Sequence, residues 1–185
     1  LEQVGYVGYP AFARDAGPFD GFVLDAFMRR LPPRSRSDFA LYLSHFRIDV
    51  SQPISDMALL GATEARLPSD GFSLVDPLSP DDLFRDILFE VAGHRHYASS
   101  RENLHEGQAL DLVPDPTNAF DPNAVRVEAQ GEVVGYVNRL QAATIGQWLS
   151  SREVCASLAR LNGTPEKPRA FAFVSVRPHS KQIAA

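Results

Sequence analysis

The run Leu112-Val113-Pro114-Asp115-Pro116-Thr117-Asn118-Ala119-Phe120-Asp121-Pro122-Asn123-Ala124-Val125-Arg126-Val127-Glu128-Ala129-Gln130-Gly131-Glu132-Val133-Val134-Gly135-Tyr136-Val137 decides the fold. Its second half reads as a hairpin. Ala124 to Glu128 and Glu132 to Val137 are rich in valine, and Gln130-Gly131 between them suits a tight turn. Its first half is a long polar turn with Asp-Pro twice and Asn twice, residue types that order loops through side-chain hydrogen bonds and fixed φ angles. Such a loop between two buried strands either serves a ligand or holds itself together, and spacing alone leaves both readings open.

Working outward, Ile87, Phe89 and Val91 alternate with Leu88 and Glu90 as in a strand. Ala109 to Val113 reads as another, after Gly107. Leu140 to Leu149 suits a helix anchored by Ile145, Trp148 and Leu149, with Trp148 as packing rather than ligand platform. Val154 to Leu161 and Arg169 to Val176 alternate again. The order β-β-β-β-α-β-β, without βαβ periodicity, points to a small closed or half-closed barrel. Cys155 reads as a small core residue.

The front of the chain is mixed. Gly5 to Gly21 reads as loops and a short strand, and Phe22-Val23-Leu24 and Phe27-Met28 are apolar. Ser35 and Ser37 are candidate N-caps for a helix from Asp38 to Phe46, with Phe39, Tyr42, Leu43 and Phe46 as its buried face. Ser55-Asp56 caps a second helix to about Ala65, and Gly71 to Val75 reads as a short strand. Asp76-Pro77-Leu78-Ser79-Pro80-Asp81-Asp82 suits an exposed linker or a helix start. The domains expected are a mixed subdomain over 1–80 and a barrel over 84–178.

The chain has 185 residues, 44% hydrophobic and 22% charged, enough for one large domain or two small ones. No apolar run is long enough to span a membrane. No signal peptide is visible, and the chain opens at Leu1 rather than Met, which leaves targeting open. One cysteine excludes an internal disulfide and fits a cytoplasmic protein. The net charge of -5 falls mostly on residues 1–83, with seven arginines against twelve acids; residues 84–178 carry ten basic against eleven acidic residues. A domain so near neutral cannot wrap many phosphates, so any nucleic acid it binds is a few nucleotides in a pocket.

Other chemistry has little support. His94, His96 and His105 suggest metal ligands only if the first two share a strand face, and no cysteine or carboxylate completes a ligand spacing. Asp115 and Asp121 resemble paired acids, but their Asp-Pro context is turn chemistry and no nucleophile accompanies them. No phosphate-cradling loop or nucleophile elbow is present. We expect no enzyme, no cofactor and no metal.

A resemblance narrows the reading. Gly93-His94-Arg95-His96-Tyr97, the loop Asp115-Pro116-Thr117-Asn118-Ala119-Phe120-Asp121-Pro122-Asn123-Ala124-Val125 and the strand Val134-Gly135-Tyr136 resemble, in order and spacing, the motifs of the HIRAN domain. That domain is found in fork-remodelling ATPases and as a separate unit in bacterial proteins. The resemblance implies an α+β fold: a small OB-like β-barrel with one helix, here preceded by the partly helical N-terminal subdomain. It also implies a grip on the 3′ end of single-stranded DNA, in repair, replication or defence. Carried across by position, Arg95 contacts the DNA backbone, and His96 and Tyr97 stack on and enclose the terminal nucleotide. Asn118, Phe120 and Asp121 line the pocket, with Asp121 as acceptor for the 3′-hydroxyl. Tyr136 and Arg139 reach phosphates, while Asn123 and Ala124 order the loop. Three departures stand out: Pro114 where the family often has Arg, Thr117 where some members carry a second Asn, and His96 in place of a tyrosine.

The N-terminal half loosely resembles the N-terminal subdomain of HipA-type toxin kinases, through Phe27-Met28-Arg29-Arg30-Leu31-Pro32, the helix expected from Asp38 to Phe46, Ser55 to Gly61 and Gly71-Phe72-Ser73-Leu74. That resemblance implies a protein partner held through residues 1–80, and with it the alternative expectation of an interaction module whose barrel does not bind DNA.

Overall fold

The computed structural model describes Tyr9 and residues 11–12, 17–67, 72–97 and 104–179. The chain divides into two compact units, Leu1–Leu74 and Val75–Ala185.

Among its described residues the first unit holds three short helices: α1 (Val23–Met28), α2 (Phe39–His45) and α3 (Asp56–Thr63). Ser55 caps α3 as expected, its hydroxyl accepting from the Ala58 amide at 3.1 Å. The caps expected for α2 are corrected. Asp38, not Ser35 or Ser37, precedes that helix, and its carboxylate makes no cap because Arg36 takes both oxygens at 2.8 and 2.6 Å. On α2, Leu43 is buried and Phe39, Tyr42 and Phe46 are half-buried, as the helical spacing implied. The strand expected at Gly71 to Val75 is not there: Gly71 lies outside the described residues, and Phe72 to Val75 are irregular. Of the stretch from Gly5 to Gly21, the residues 5–8, 10 and 13–16 lie outside the described residues, and the remainder forms neither helix nor strand. Tyr9, Phe12, Phe27 and Phe72 form an aromatic cluster. Beside it the buried Arg30 donates to the carbonyls of Ala65 (2.6 Å) and Phe72 (3.0 Å) and to the Tyr9 hydroxyl (3.2 Å), which is how a guanidinium is tolerated in that core.

Among its described residues the second unit is a six-stranded antiparallel sheet with one α-helix. Its strands are β1 (Arg85–Glu90), β2 (Ala109–Pro114), β3 (Val125–Ala129), β4 (Glu132–Tyr136), β5 (Glu153–Gly163) and β6 (Pro168–Arg177), in the spatial order β1-β6-β5-β2-β3-β4. Helix α4 (Arg139–Ser151) connects β4 to β5, so the chain order is the one read from the sequence. The barrel expectation needs a correction. The sheet is not closed; its two edges meet only where Ala92, just past β1, forms a single antiparallel bridge with Tyr136 at the end of β4.

The inward faces follow the alternation. Phe89, Val91, Val127, Val134, Leu158, Val174 and Val176 are buried, and Ile145 and Trp148 of α4 pack into the same core. Burial of each such side chain contributes about 1.5–3 kcal/mol. In the β3–β4 hairpin, Gln130 and Gly131 both take positive φ (54° and 82°), the conformation of a two-residue turn that matches strand twist. Cys155 is corrected from core to exposed: on β5 it lies out of phase with Leu158, the buried residue of that strand.

The segment expected as an exposed linker instead straps α4. The carbonyls of Asp76, Pro77 and Pro80 accept from Gln141 (2.9 Å), Thr144 (3.5 Å) and the Trp148 indole (3.3 Å), and Leu78 is buried. Proline carbonyls, lacking a strand or helix of their own, are free to satisfy these side chains.

Candidate nucleic-acid interface

The first part of the site is a 3-10 turn, His94–His96, entered through Gly93 at φ +74°. A single tight turn sends neighbouring side chains different ways. His94 is 2% exposed, and its Nδ1 donates to the Val134 carbonyl at 2.8 Å, anchoring the turn to β4. Arg95 and His96 are exposed, with Arg95 Nε donating to His96 Nε2 at 3.1 Å. The shared strand face that suggested a metal pair is therefore corrected: one ring is in the core and the other in water. No group of three or more His, Cys, Asp or Glu stands together among the described residues. Tyr97 follows, half-buried, its amide donating to the His94 carbonyl at 3.0 Å.

The second part is the Asp-Pro loop. Its ends are pinned by the Asp115 amide donating to the Ala124 carbonyl at 2.7 Å. Inside it, Asn118 Oδ1 accepts from the amides of Phe120 (3.0 Å) and Asp121 (3.3 Å), and Asp121 Oδ1 accepts from the Asn123 amide (2.9 Å). The Asp115 carboxylate accepts from Thr117 Oγ1 (3.1 Å), Asn118 Nδ2 (3.3 Å) and the Tyr136 hydroxyl (3.3 Å). The Asn118 amide, then Thr117, Tyr136 and nearby Arg126, hold that carboxylate below its usual range against the opposing effect of burial. Asn123 is exposed and Ala124 buried beneath the loop.

A loop so fully hydrogen-bonded still leaves one large apolar group in water: the Phe120 ring is 88% exposed. Alongside, the loop touches the rest of the site twice. Tyr136 joins it to β4 and lies 6.3 Å, ring centre to ring centre, from Tyr97 at 53°. Burial first, then the neighbouring Tyr97 phenol and the Asp115 carboxylate, push the Tyr136 phenol upward. Asp121 Oδ2 faces Arg139 Nε at 3.7 Å, a charge contact longer than a hydrogen bond, at the first turn of α4. Asn138 caps that helix by accepting from the Leu140 amide at 3.0 Å.

Of the eight residues singled out in the sequence, Tyr97, Tyr136 and Asn118 meet in one network through Asp115, and Asp121 meets Arg139. Phe120 stands on the loop between these contacts, and Arg95 with His96 projects from the turn. Sequence reasoning missed Asp115 as the hub, having read it as turn chemistry. Its being the first residue of the loop motif was the available signal. Both acids are engaged by loop donors, as turn residues are. Pro114, the first departure from the family pattern, ends β2 opposite Val125 and is exposed.

The motifs, the strand order and this clustering define a HIRAN-type domain. A HIRAN domain profile matches residues 84–177, and the chain belongs to the HIRAN family. No curated protein gives a significant match. Among solved structures, the chain is similar to the HIRAN domain of human HLTF, at 16% identity and TM-score 0.44 over 55% of this chain and 84% of that one. It is also similar to a protein from Lactobacillus plantarum, at 20% identity and TM-score 0.44 over 52% of this chain and 96% of that one. Family membership supports a nucleic-acid-binding module. Among the described residues no helix is long and apolar enough to cross a membrane.

Proposed function

We propose that residues 84–177 bind single-stranded DNA at its 3′ end, in repair, replication or defence, and catalyse no reaction. The observation that carries this reading is Phe120, a ring left in water on a loop that hydrogen bonds hold in place. Exposed aromatic surface on a rigid support is suited to a stacked base, worth about 1–3 kcal/mol each. The Tyr97–Tyr136 pair offers a second aromatic surface, and Arg95 and Arg139 supply cations to a domain that is otherwise near neutral. Asp121 supports the choice of a strand end. A carboxylate beside an internal phosphodiester repels it, whereas a terminal hydroxyl donates to it. A cytoplasmic setting goes with this reading.

The test is fluorescence anisotropy with short oligonucleotides ending in a 3′-hydroxyl or a 3′-phosphate. Preference for the hydroxyl end is expected. Equal binding of the two would overturn end recognition. Absence of binding to any oligonucleotide would put a protein-interaction module, working through residues 1–80, first.

A further inference from the structure

Asp115 carries more hydrogen bonds than its loop requires. Thr117 and Asn118 are two and three residues away, and their donation to the carboxylate closes the turn locally. The third donor, Tyr136, lies 21 residues away on β4. The Tyr136 ring also lies beside the Tyr97 ring, 6.3 Å from centre to centre and tilted by 53°. Tyr136 has one proton, and with it committed to Asp115 the phenol cannot turn freely; its partner Tyr97 is then held from one side. The register between β3 and β4 shifts between Val127 and Glu128, just before Gly135 and Tyr136. A bulge at such a place re-aims the next side chain, here Tyr136 toward the loop.

We propose that Asp115 is a positioning residue, setting the orientation of the Tyr97–Tyr136 pair through the Tyr136 hydroxyl. Its part in binding rests on the nucleic-acid reading above; its part in orienting the rings does not. Asp115 itself needs no contact with the ligand. It passes the position of the Asp-Pro loop to the turn that carries Tyr97, so the Phe120 surface and the tyrosine surface stand at a fixed spacing.

The first arm of the test follows the ring resonances of Tyr97 in the unliganded protein by NMR. They are expected to move in Asp115→Ala and to return toward their original positions in Asp115→Asn, whose carbonyl still accepts from Tyr136. Thr117→Val, which removes only a loop donor to the same carboxylate, is expected to leave them in place. Tyr97 signals unmoved in Asp115→Ala, or moved equally by Thr117→Val, would overturn the proposal. Should Asp115→Ala fail to fold, Asp115→Ser, too short to reach Tyr136, takes its place. The second arm is a double-mutant cycle of Asp115→Ala and Tyr136→Phe, read as affinity for a short oligothymidylate with a free 3′-hydroxyl. Each change is expected to weaken binding about tenfold, and the pair no more than either alone, as for two ends of one hydrogen bond. A hundredfold loss in the double variant would reduce Asp115 to a loop staple. If the unaltered protein binds no oligonucleotide, the functional reading fails and the first arm alone decides the positioning role.

Discussion

Ala92 and Tyr136 exchange two backbone hydrogen bonds: the Ala92 amide donates to the Tyr136 carbonyl at 2.7 Å, and the Tyr136 amide donates back at 2.9 Å. This bridge is where the two sheet edges meet, and it lies between the turn that carries Tyr97 and the strand that carries Tyr136. It forces close packing on Gly135. A Cβ there would stand 2.5 Å from Val91 Cγ1 and 2.6 Å from the Ala92 carbonyl oxygen, at φ +149°. We therefore expect Gly135→Ala to destabilise the unit by on the order of 3 kcal/mol, combining strain and overpacking. Urea unfolding measures it, and a loss under 1 kcal/mol would mean the bridge is dispensable.

Trp148 is fully buried, and its indole N–H donates to the Pro80 carbonyl. Its fluorescence is expected to shift on unfolding and barely respond to oligonucleotide. Trp148→Phe should cost about 1–3 kcal/mol, from lost volume and an unsatisfied carbonyl. A strong quench by a short oligonucleotide would place the ligand elsewhere than at the Tyr97–Phe120 site.

Phe120 makes the opposite case. At 88% exposure it has little packing to lose. Phe120→Ser should leave stability within about 0.5 kcal/mol and weaken oligonucleotide binding by about 1–3 kcal/mol. The informative result is the contrast, so both quantities are measured on the same variant. Unchanged affinity would remove this ring from the site.

Asp121→Asn keeps an oxygen for the Asn123 amide and removes the charge that faces Arg139. Discrimination between 3′-hydroxyl and 3′-phosphate ends should fall by about tenfold, one charge-assisted hydrogen bond, while overall binding changes less. Tyr97→Ala should weaken binding to both ends alike. Undiminished discrimination in Asp121→Asn would free that carboxylate of any role at the end.

Acid provides a check on the loop. The Asp115 carboxyl is held below its usual value of 3.8, first by the Asn118 amide. A depressed folded value stabilises the fold above the unfolded value, and this is lost as pH falls through the folded one. Tyr97 and Tyr136 ring signals should therefore stay constant down to about pH 4 and move only below 3.8. In Asp115→Asn that acid transition should disappear. A transition well above pH 4 that persists in Asp115→Asn would point to another group.

Few phosphate contacts are expected of a near-neutral site. With Arg95 and Arg139 as its cations, the logarithm of affinity should fall with that of salt at a slope of about -1.4, and Arg139→Gln should remove about half of it. A slope several times steeper would require a basic surface beyond these two residues.

The sequence by itself determined the succession of strands and helix along the second unit, the β3–β4 hairpin, the place of α4 and the family. These follow from periodicity and turn chemistry, which act between residues close in the chain: Gln130-Gly131 turns, Val125 and Val127 face inward, and Ser55 caps. Tertiary structure decided what depends on partners distant in sequence. His94 became a core anchor rather than a ligand because Val134, 40 residues on, offers its carbonyl. Leu78 and the proline carbonyls became a strap because α4 presents Gln141, Thr144 and Trp148 to them. Asp115 became the hub because a bulge and one edge-to-edge bridge bring the Tyr136 hydroxyl to it. Local patterns encode which residues form an element, whereas the contact that gives a polar side chain its role is made only when the sheet edges meet.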